Sequence, residues 1–377
     1  MAKILVIANI QVPPIHAGSQ KCISNYCETL RELGHEVYFL FSGHDKQEED
    51  YSASEYWKEK YYHYQYSFFL RLANFIKRKV HYAILRGNYS IGYYYPAYGL
   101  SHYVECLQKK QHFDAVIVNY PWMTPLLKKT SIPVKLLFTH DKFTNKKELI
   151  KAEYYSLTAK QEATALDRAD FVLSIQDEET EFFKKLLPRK NILTVYTQFE
   201  YRETLSENKK NVLFFSGDSD LNRNGINFFL TKVWPLVINE VKEAHLIIGG
   251  GICKGLKEHE KIENVEFAGY IDDVDEFYRR GNIAINPVYQ GTGLKIKTLE
   301  AMSYGKITIV HPHSMAGLFK KEGVPVLVGD NAGRYAELLV KALSGDIDPK
   351  ETSKRCRAYL FEMNNYIVEQ YKKIKFK

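Results

Sequence analysis

Short apolar runs alternate along the chain with stretches whose apolar residues recur at helical spacing. In the first half the runs Lys3–Ala8, Glu36–Phe41, Ala115–Val118, Val134–Phe138, Phe171–Ile175 and Ile192–Val195 read as buried strands. Between the first two lies Gln20–Leu33, where Ile23, Tyr26, Cys27, Leu30 and Leu33 share a helical face and Gly34 supplies a C-cap. Further helical stretches fall at Ser101–Lys110 and Lys146–Arg168. Strand and helix in alternation specify a parallel sheet covered by helices.

The pattern restarts at Asn211–Ser216, followed by a polar loop and a helix from about Asn224 to Asn239. Strands at His245–Ile248, Val265–Ala268, Ile283–Asn286, Ile307–Val310 and Pro325–Val328 complete a second doubly wound unit. The polar stretch Tyr201–Lys210 is the linker candidate, which gives domains at 1–200 and 201–361. A last amphipathic helix, around Asn364–Lys375, fits either domain; a return of residues 362–377 to the first is one arrangement.

Length and composition agree with two globular cores: 377 residues exceed what one core usually serves, and 45% hydrophobic with 26% charged residues excludes disorder, collagen and coiled coil. Met1–Ile10 reads as a buried strand rather than a leader, and no apolar run is long enough to span a bilayer. Five scattered cysteines without CxxC spacing argue against a disulfide framework or a zinc site. The net charge of +7 concentrates in Tyr56–Arg86, where Lys58, Lys60, Arg71, Lys77, Arg78, Lys79 and Arg86 interleave with aromatic residues. Two readings of that segment stand: contact with an anionic membrane or stacking on glycan rings, or aromatics filling the first core beneath a solvated basic face.

The segment richest in chemistry is Asn286 to Gly305. A strand ends at Asn286, Gly291 and Gly293 permit a tight turn, and a helix starts near Leu294 with Lys295 and Lys297 in its first turn and no acid there. Cations oppose the helix dipole at that end, unless an anion sits among them. Glycine-rich backbone amides at a helix start are themselves an anion site, and the combination fits a diphosphate with Glu300 accepting from a ribose diol. An exposed ion pair between Lys297 and Glu300 is the equally simple alternative.

This stretch resembles the signature of the retaining glycosyltransferases of family four, also called group one, which have the GT-B fold: two doubly wound Rossmann-like α/β domains facing across a cleft. The family's pattern is Glu, seven residues, then Glu. The second acid matches Glu300, and the resemblance implies that it holds the donor ribose; the first falls at Thr292, so the chain is similar to a subgroup reading Gly-Thr/Ala-Gly-x-Lys-x-Lys-x-x-Glu-Ala. The missing acid normally contacts hydroxyls of the donor sugar, which leaves that sugar open. Gly293, Leu294, Lys295, Ile296 and Lys297 are implied as donor contacts.

Other segments extend the resemblance. Ser216 to Leu230 looks like the opening of the family's second domain, which makes Arg223 a candidate diphosphate ligand or an exposed loop arginine. Phe267 to Asp273 resembles the turn that meets the nucleobase, implicating Tyr270, and Ile247–Gly251 the family's glycine-bearing strand end. In the first half, Gly18 and Ser19 open a helix whose amides meet a phosphate or the transferred sugar, or else Ser19 is simply its N-cap. His140, just beyond a strand's carboxyl end, matches the family's donor-sugar histidine.

The expectation is a metal-independent, retaining transferase without a cofactor, with Lys295, helped by Lys297 or Arg223, and His140 as its catalytic groups, carrying a sugar from a nucleoside-diphosphate donor to a glycan or lipid-linked acceptor. The setting implied is bacterial polysaccharide or lipopolysaccharide synthesis, in the cytoplasm and at the inner face of the membrane, with no nucleic-acid partner. A sugar-nucleotide epimerase of similar fold and a catalytically silent nucleotide- or carbohydrate-binding scaffold are the alternatives.

Overall fold

Apolar residues on both faces of a strand require a covering layer on each side, the condition that parallel sheets meet. A computed structural model describes the chain except residues 16, 44–50, 85–98, 151–155, 257–260 and 377. It separates into two units: residues 1–15, 19–197 and 367–377, and residues 16–18 and 198–366.

The first unit carries β1 (Lys3–Ala8), β2 (Glu36–Phe41), β3 (Tyr61–His63), β4 (Ala115–Asn119), β5 (Val134–Phe138), β6 (Phe171–Ser174) and β7 (Asn191–Thr194). They pair in parallel in the order β3-β2-β1-β4-β5-β6-β7. Leu5, Ile7, Val116, Val118, Leu137 and Val172 project into a core that also takes Leu107 from the helix Leu100–Gln111 and Phe113 from the loop after it. The strand β3 has no counterpart in the apolar pattern. It adds to the sheet edge, and Trp57, Tyr64 and Tyr66 around it are buried.

The second unit carries β8 (Asn211–Phe215), β9 (His245–Gly249), β10 (Val265–Gly269), β11 (Ile283–Asn286), β12 (Ile307–Val310) and β13 (Val326–Val328). These too are parallel, in the order β10-β9-β8-β11-β12-β13. Each sheet therefore reverses its winding beside its first strand, at β1/β4 and at β8/β11, where open α/β sheets receive ligands.

Two helices differ from the pattern. The stretch expected from Asn224 to Asn239 is Asp220–Phe228, a π turn at Phe229–Val233, and Trp234–Glu240. The stretch Lys146–Arg168 is the two helices Lys146–Ile150 and Ala159–Asp167, the second capped by Thr158 and Gln161 in a reciprocal box; residues 151–155 between them lie outside the described chain. The terminal helix is longer than its amphipathic signal, Pro349–Lys372, and its last residues, with Ile367 and Tyr371 buried, belong to the first unit. Residues 201–210 are bonded into the second: Arg202 N–H donates to Ser303 O at 2.7 Å and Ser206 N–H to Asn282 Oδ1 at 2.8 Å.

Candidate functional site

In the second unit, β11 ends at buried Asn286, whose Nδ2 donates to Thr298 Oγ1 at 2.9 Å and so ties the strand end to the helix Ile296–Ser303. The intervening loop turns at Gly291 (φ 109°) and Gly293 (φ 78°), both in the region glycine favours. Lys295 is not within the helix as the sequence suggested. It occupies the N-cap, without a side-chain cap, and its Nζ donates to Gly293 O at 3.2 Å. The first helical turn holds Lys297 and no acid.

Lys297 and Glu300 are half-buried, not an exposed surface pair. Burial, reinforced by the neighbouring Lys295 charge and opposed by Glu300, pushes Lys297 down from 10.5 to about 8. Two cations thus crowd the positive end of a helix dipole. Glu300 also lies within electrostatic reach of Tyr278 and Tyr304, which stack at 4.2 Å. Tyr304 OH donates in turn to Asp275 Oδ1 at 2.6 Å. His313, beyond β12, donates from Nε2 to Gly291 O at 2.7 Å, and burial and Lys295 hold its pKa low. Sequence reasoning passed over this histidine. Its signal was His-Pro-His directly after a strand.

Backbone-to-backbone contacts brace the surrounding strand ends. A Cβ at Gly225 would stand 2.9 Å from Val288 Cα, and one at Gly250 would stand 2.4 Å from Ser216 O. Ser216 N–H donates to Gly249 O at 3.0 Å and Gly250 N–H to Gly269 O at 2.7 Å, linking β8, β9 and β10 at their carboxyl ends. Ser219 caps the helix Asp220–Phe228 by accepting from Asn222 N–H. Arg223 forms ion pairs with both Asp218 and Asp220, so its charge is already compensated. Tyr270 follows β10 and is exposed.

Gly18 and Ser19 are the first two residues of the helix Gly18–Glu32. Ser19 therefore sits inside the first turn, not at the N-cap. His140 follows β5 with φ 62°, and Tyr120 follows the adjacent β4 with φ 72°. Such backbone costs roughly 1–3 kcal/mol per residue and persists where the surroundings over-determine it. Here the two rings stack at 4.3 Å. His140 Nε2 lies 2.7 Å from Oδ1 of fully buried Asn119, whose Nδ2 donates to Ile7 O at 3.0 Å and Tyr26 OH at 2.9 Å. Burial pushes the imidazole down to about 3, so it is neutral. Asn119 and Tyr120 were not singled out by the sequence; a polar residue ending an otherwise apolar strand was the available sign.

Behind His140, Asp141 pairs with buried Lys146. Glu162 accepts from the amides of Phe143 and Thr144, each at 2.8 Å, and buried Glu179 accepts from Gln176 Nε2 at 3.0 Å. Burial raises the pKa of both glutamates, and each carboxylate is raised further by Asp141. These groups anchor the loop that carries His140. Among the described residues no three His, Cys, Asp or Glu side chains converge as metal ligands, and no helix is long and apolar enough to cross a membrane.

Residues 209–345 match the family model for glycosyl transferases group 1. The whole chain is 22% identical over 396 aligned positions to an uncharacterized 44.6 kDa protein in the cps region of Klebsiella pneumoniae, covering 97% of each. Among solved structures it is similar to sucrose-phosphate synthase from Thermosynechococcus elongatus (TM-score 0.68, 15% identity, 99% of this chain and 98% of that one). It is also similar to Anabaena Alr3699/HepE in complex with UDP and glucose (TM-score 0.62, 13% identity, 99% and 100%).

Proposed function

We propose that the chain transfers a sugar from a nucleoside-diphosphate donor to a glycan or lipid-linked acceptor, with retention at the anomeric carbon and without a metal ion. Residues 209–345 form a group 1 glycosyltransferase domain, the two parallel sheets are those of GT-B enzymes, and the chain is a glycosyltransferase. The assignment of chemistry to residues is our own reading. It rests above all on Lys295 and Lys297 at the start of the helix Ile296–Ser303, where dipole, backbone amides and side-chain charge all favour one kind of ligand.

Breaking the sugar–phosphate bond leaves negative charge on the departing diphosphate. Fixed cations and amides aimed at that charge lower the barrier without reorganising as it forms. Lys295 and Lys297, with the amides of Gly293 and Leu294, take this role; Glu300 accepts from the ribose diol; Tyr270 meets the base. Gly18 and Ser19 offer helix-start amides, and neutral His140 accepts a hydrogen bond from a hydroxyl of the transferred sugar. Arg223 contributes only on releasing an aspartate, which makes it the weaker ligand. The cps-region relative supports a setting in surface polysaccharide synthesis, and action in the cytoplasm belongs to the same proposal.

The test is thermal unfolding with UDP, GDP, ADP, CMP and dTDP sugars, uridine first because the Anabaena structure holds UDP. A ligand at a hundred times its Kd adds about 2.7 kcal/mol to the folded state. One nucleotide family should raise the midpoint, and Glu300→Ala and Lys295→Ala should each remove most of the rise. A rise that both variants keep overturns the assignment.

A further inference from the structure

The basic and aromatic segment beginning at Tyr56 divides sharply in the structure. Tyr56 is exposed, but from Trp57 to Tyr66 the aromatics serve the core: Trp57, Tyr64 and Tyr66 are buried, and Tyr61 and Tyr62 lie in β3. From Phe68 the chain forms the helix Phe68–Ile84, and its large apolar residues turn outward. Phe68 is 73% exposed and Phe69 79%, and Leu72, Phe75, Ile76 and Val80 are exposed as well. At 3.6 residues per turn these six positions share an arc of about 140°. The helix is held by another side: Leu70 packs on the first core, Asn74 is buried, and Arg71 Nε donates to Tyr66 O at 3.1 Å. Arg86, part of the same sequence segment, lies outside the described residues.

We infer that this helix is a membrane-surface anchor that lies flat on an anionic bilayer, its Phe68, Phe69, Leu72, Phe75, Ile76 and Val80 face entering the headgroup boundary. Charge selects the occupant. The helix sequence carries Arg71, Lys77, Arg78 and Lys79 and no acidic residue. A second copy of the chain carries the same positive helix, so like charges oppose its docking, whereas anionic headgroups attract the helix. Six large exposed apolar residues on one arc of one helix exceed the isolated apolar residues normal on a monomer's surface, and a bilayer needs no complementary groove to receive them. The inference goes beyond glycosyl transfer and holds whichever donor the enzyme takes.

The experiment is flotation of the full-length chain with vesicles of phosphatidylcholine alone and of phosphatidylcholine with phosphatidylglycerol. The wild type should float with the anionic vesicles, less with the neutral ones, and less again as salt rises. Phe69→Ser/Ile76→Ser and Lys77→Glu/Lys79→Glu should each lower the vesicle partition about tenfold or more, with an unchanged unfolding midpoint to show that the fold is intact. A wild type that stays unbound with anionic vesicles overturns the inference. So does a Phe69→Ser/Ile76→Ser variant that floats as well as the wild type, or one whose only change is loss of a concentration-dependent dimer.

Discussion

His140 donates its Nε2 hydrogen to Asn119 Oδ1 across 2.7 Å, because the Asn119 amide nitrogen is engaged by Ile7 O and Tyr26 OH and leaves only its oxygen to face the ring. A neutral imidazole with hydrogen on Nε2 presents Nδ1 as an acceptor. The ring is thereby suited to receive a hydrogen bond from a sugar hydroxyl and unsuited to carry a proton.

Asn119→Leu frees the ring to adopt the other tautomer, and turnover should fall about tenfold, the worth of one hydrogen bond, while the donor-induced thermal shift changes little. With His140 held near 3 by burial, the wild-type rate should show no His140 inflection between about pH 5 and 8. Asn119→Asp, which places a carboxylate against the ring, should raise the His140 pKa and bring an inflection into that window. A wild-type inflection that disappears in His140→Gln would contradict the neutral ring.

Lys297 has its pKa lowered to about 8, and a diphosphate beside it favours the charged form. Donor binding at higher pH must then take up a proton. Affinity should be level below about pH 8 and weaken above it, approaching one logarithmic unit per pH unit. Lys297→Arg keeps its charge throughout and should remove the slope. Donor affinity measured across this range in both proteins decides the matter; identical pH dependence would take Lys297 out of the donor site.

Lys306 is fully buried, donates from Nζ to Thr204 O, and is pushed down to about 7 by burial. An unfolded lysine titrates near 10.4, so between about pH 7 and 10 the unfolded chain binds more protons and native stability rises with pH. Below that window the cost of the buried charge is felt in full. Lys306→Met removes this dependence, and the unfolding midpoint of the variant minus that of the wild type should shrink steadily as pH rises through the window. A constant difference would mean that Lys306 titrates in its ordinary range.

Most strands were legible because a parallel sheet demands apolar residues on both faces, and runs such as Ala115–Val118 and Ile307–Val310 meet that demand with little else. The strand β3 was not, since Tyr61–His63 has only three residues in an aromatic stretch that reads equally well as a helix face. The π turn at Phe229–Val233 was invisible because buried Phe229, Leu230 and Val233 continue the apolar side without a gap. At the site, Lys295 and Lys297 stand out in the bare sequence because their charge has the wrong sign for a helix start. Asn119 and His313 carry no such mark. Each gains its role only when neighbouring strands bring it against a ring or a carbonyl distant in sequence.

The bare contact between Gly225 and the Val288 backbone also bears on entropy. With no side chain as a spacer, the helix packs directly on the backbone of Pro287 and Val288 and holds that start of the loop in place. A ligand that arrives there has little disorder left to remove, so its contacts translate more fully into affinity and its residence depends on their strength rather than on the time a loop takes to gather itself.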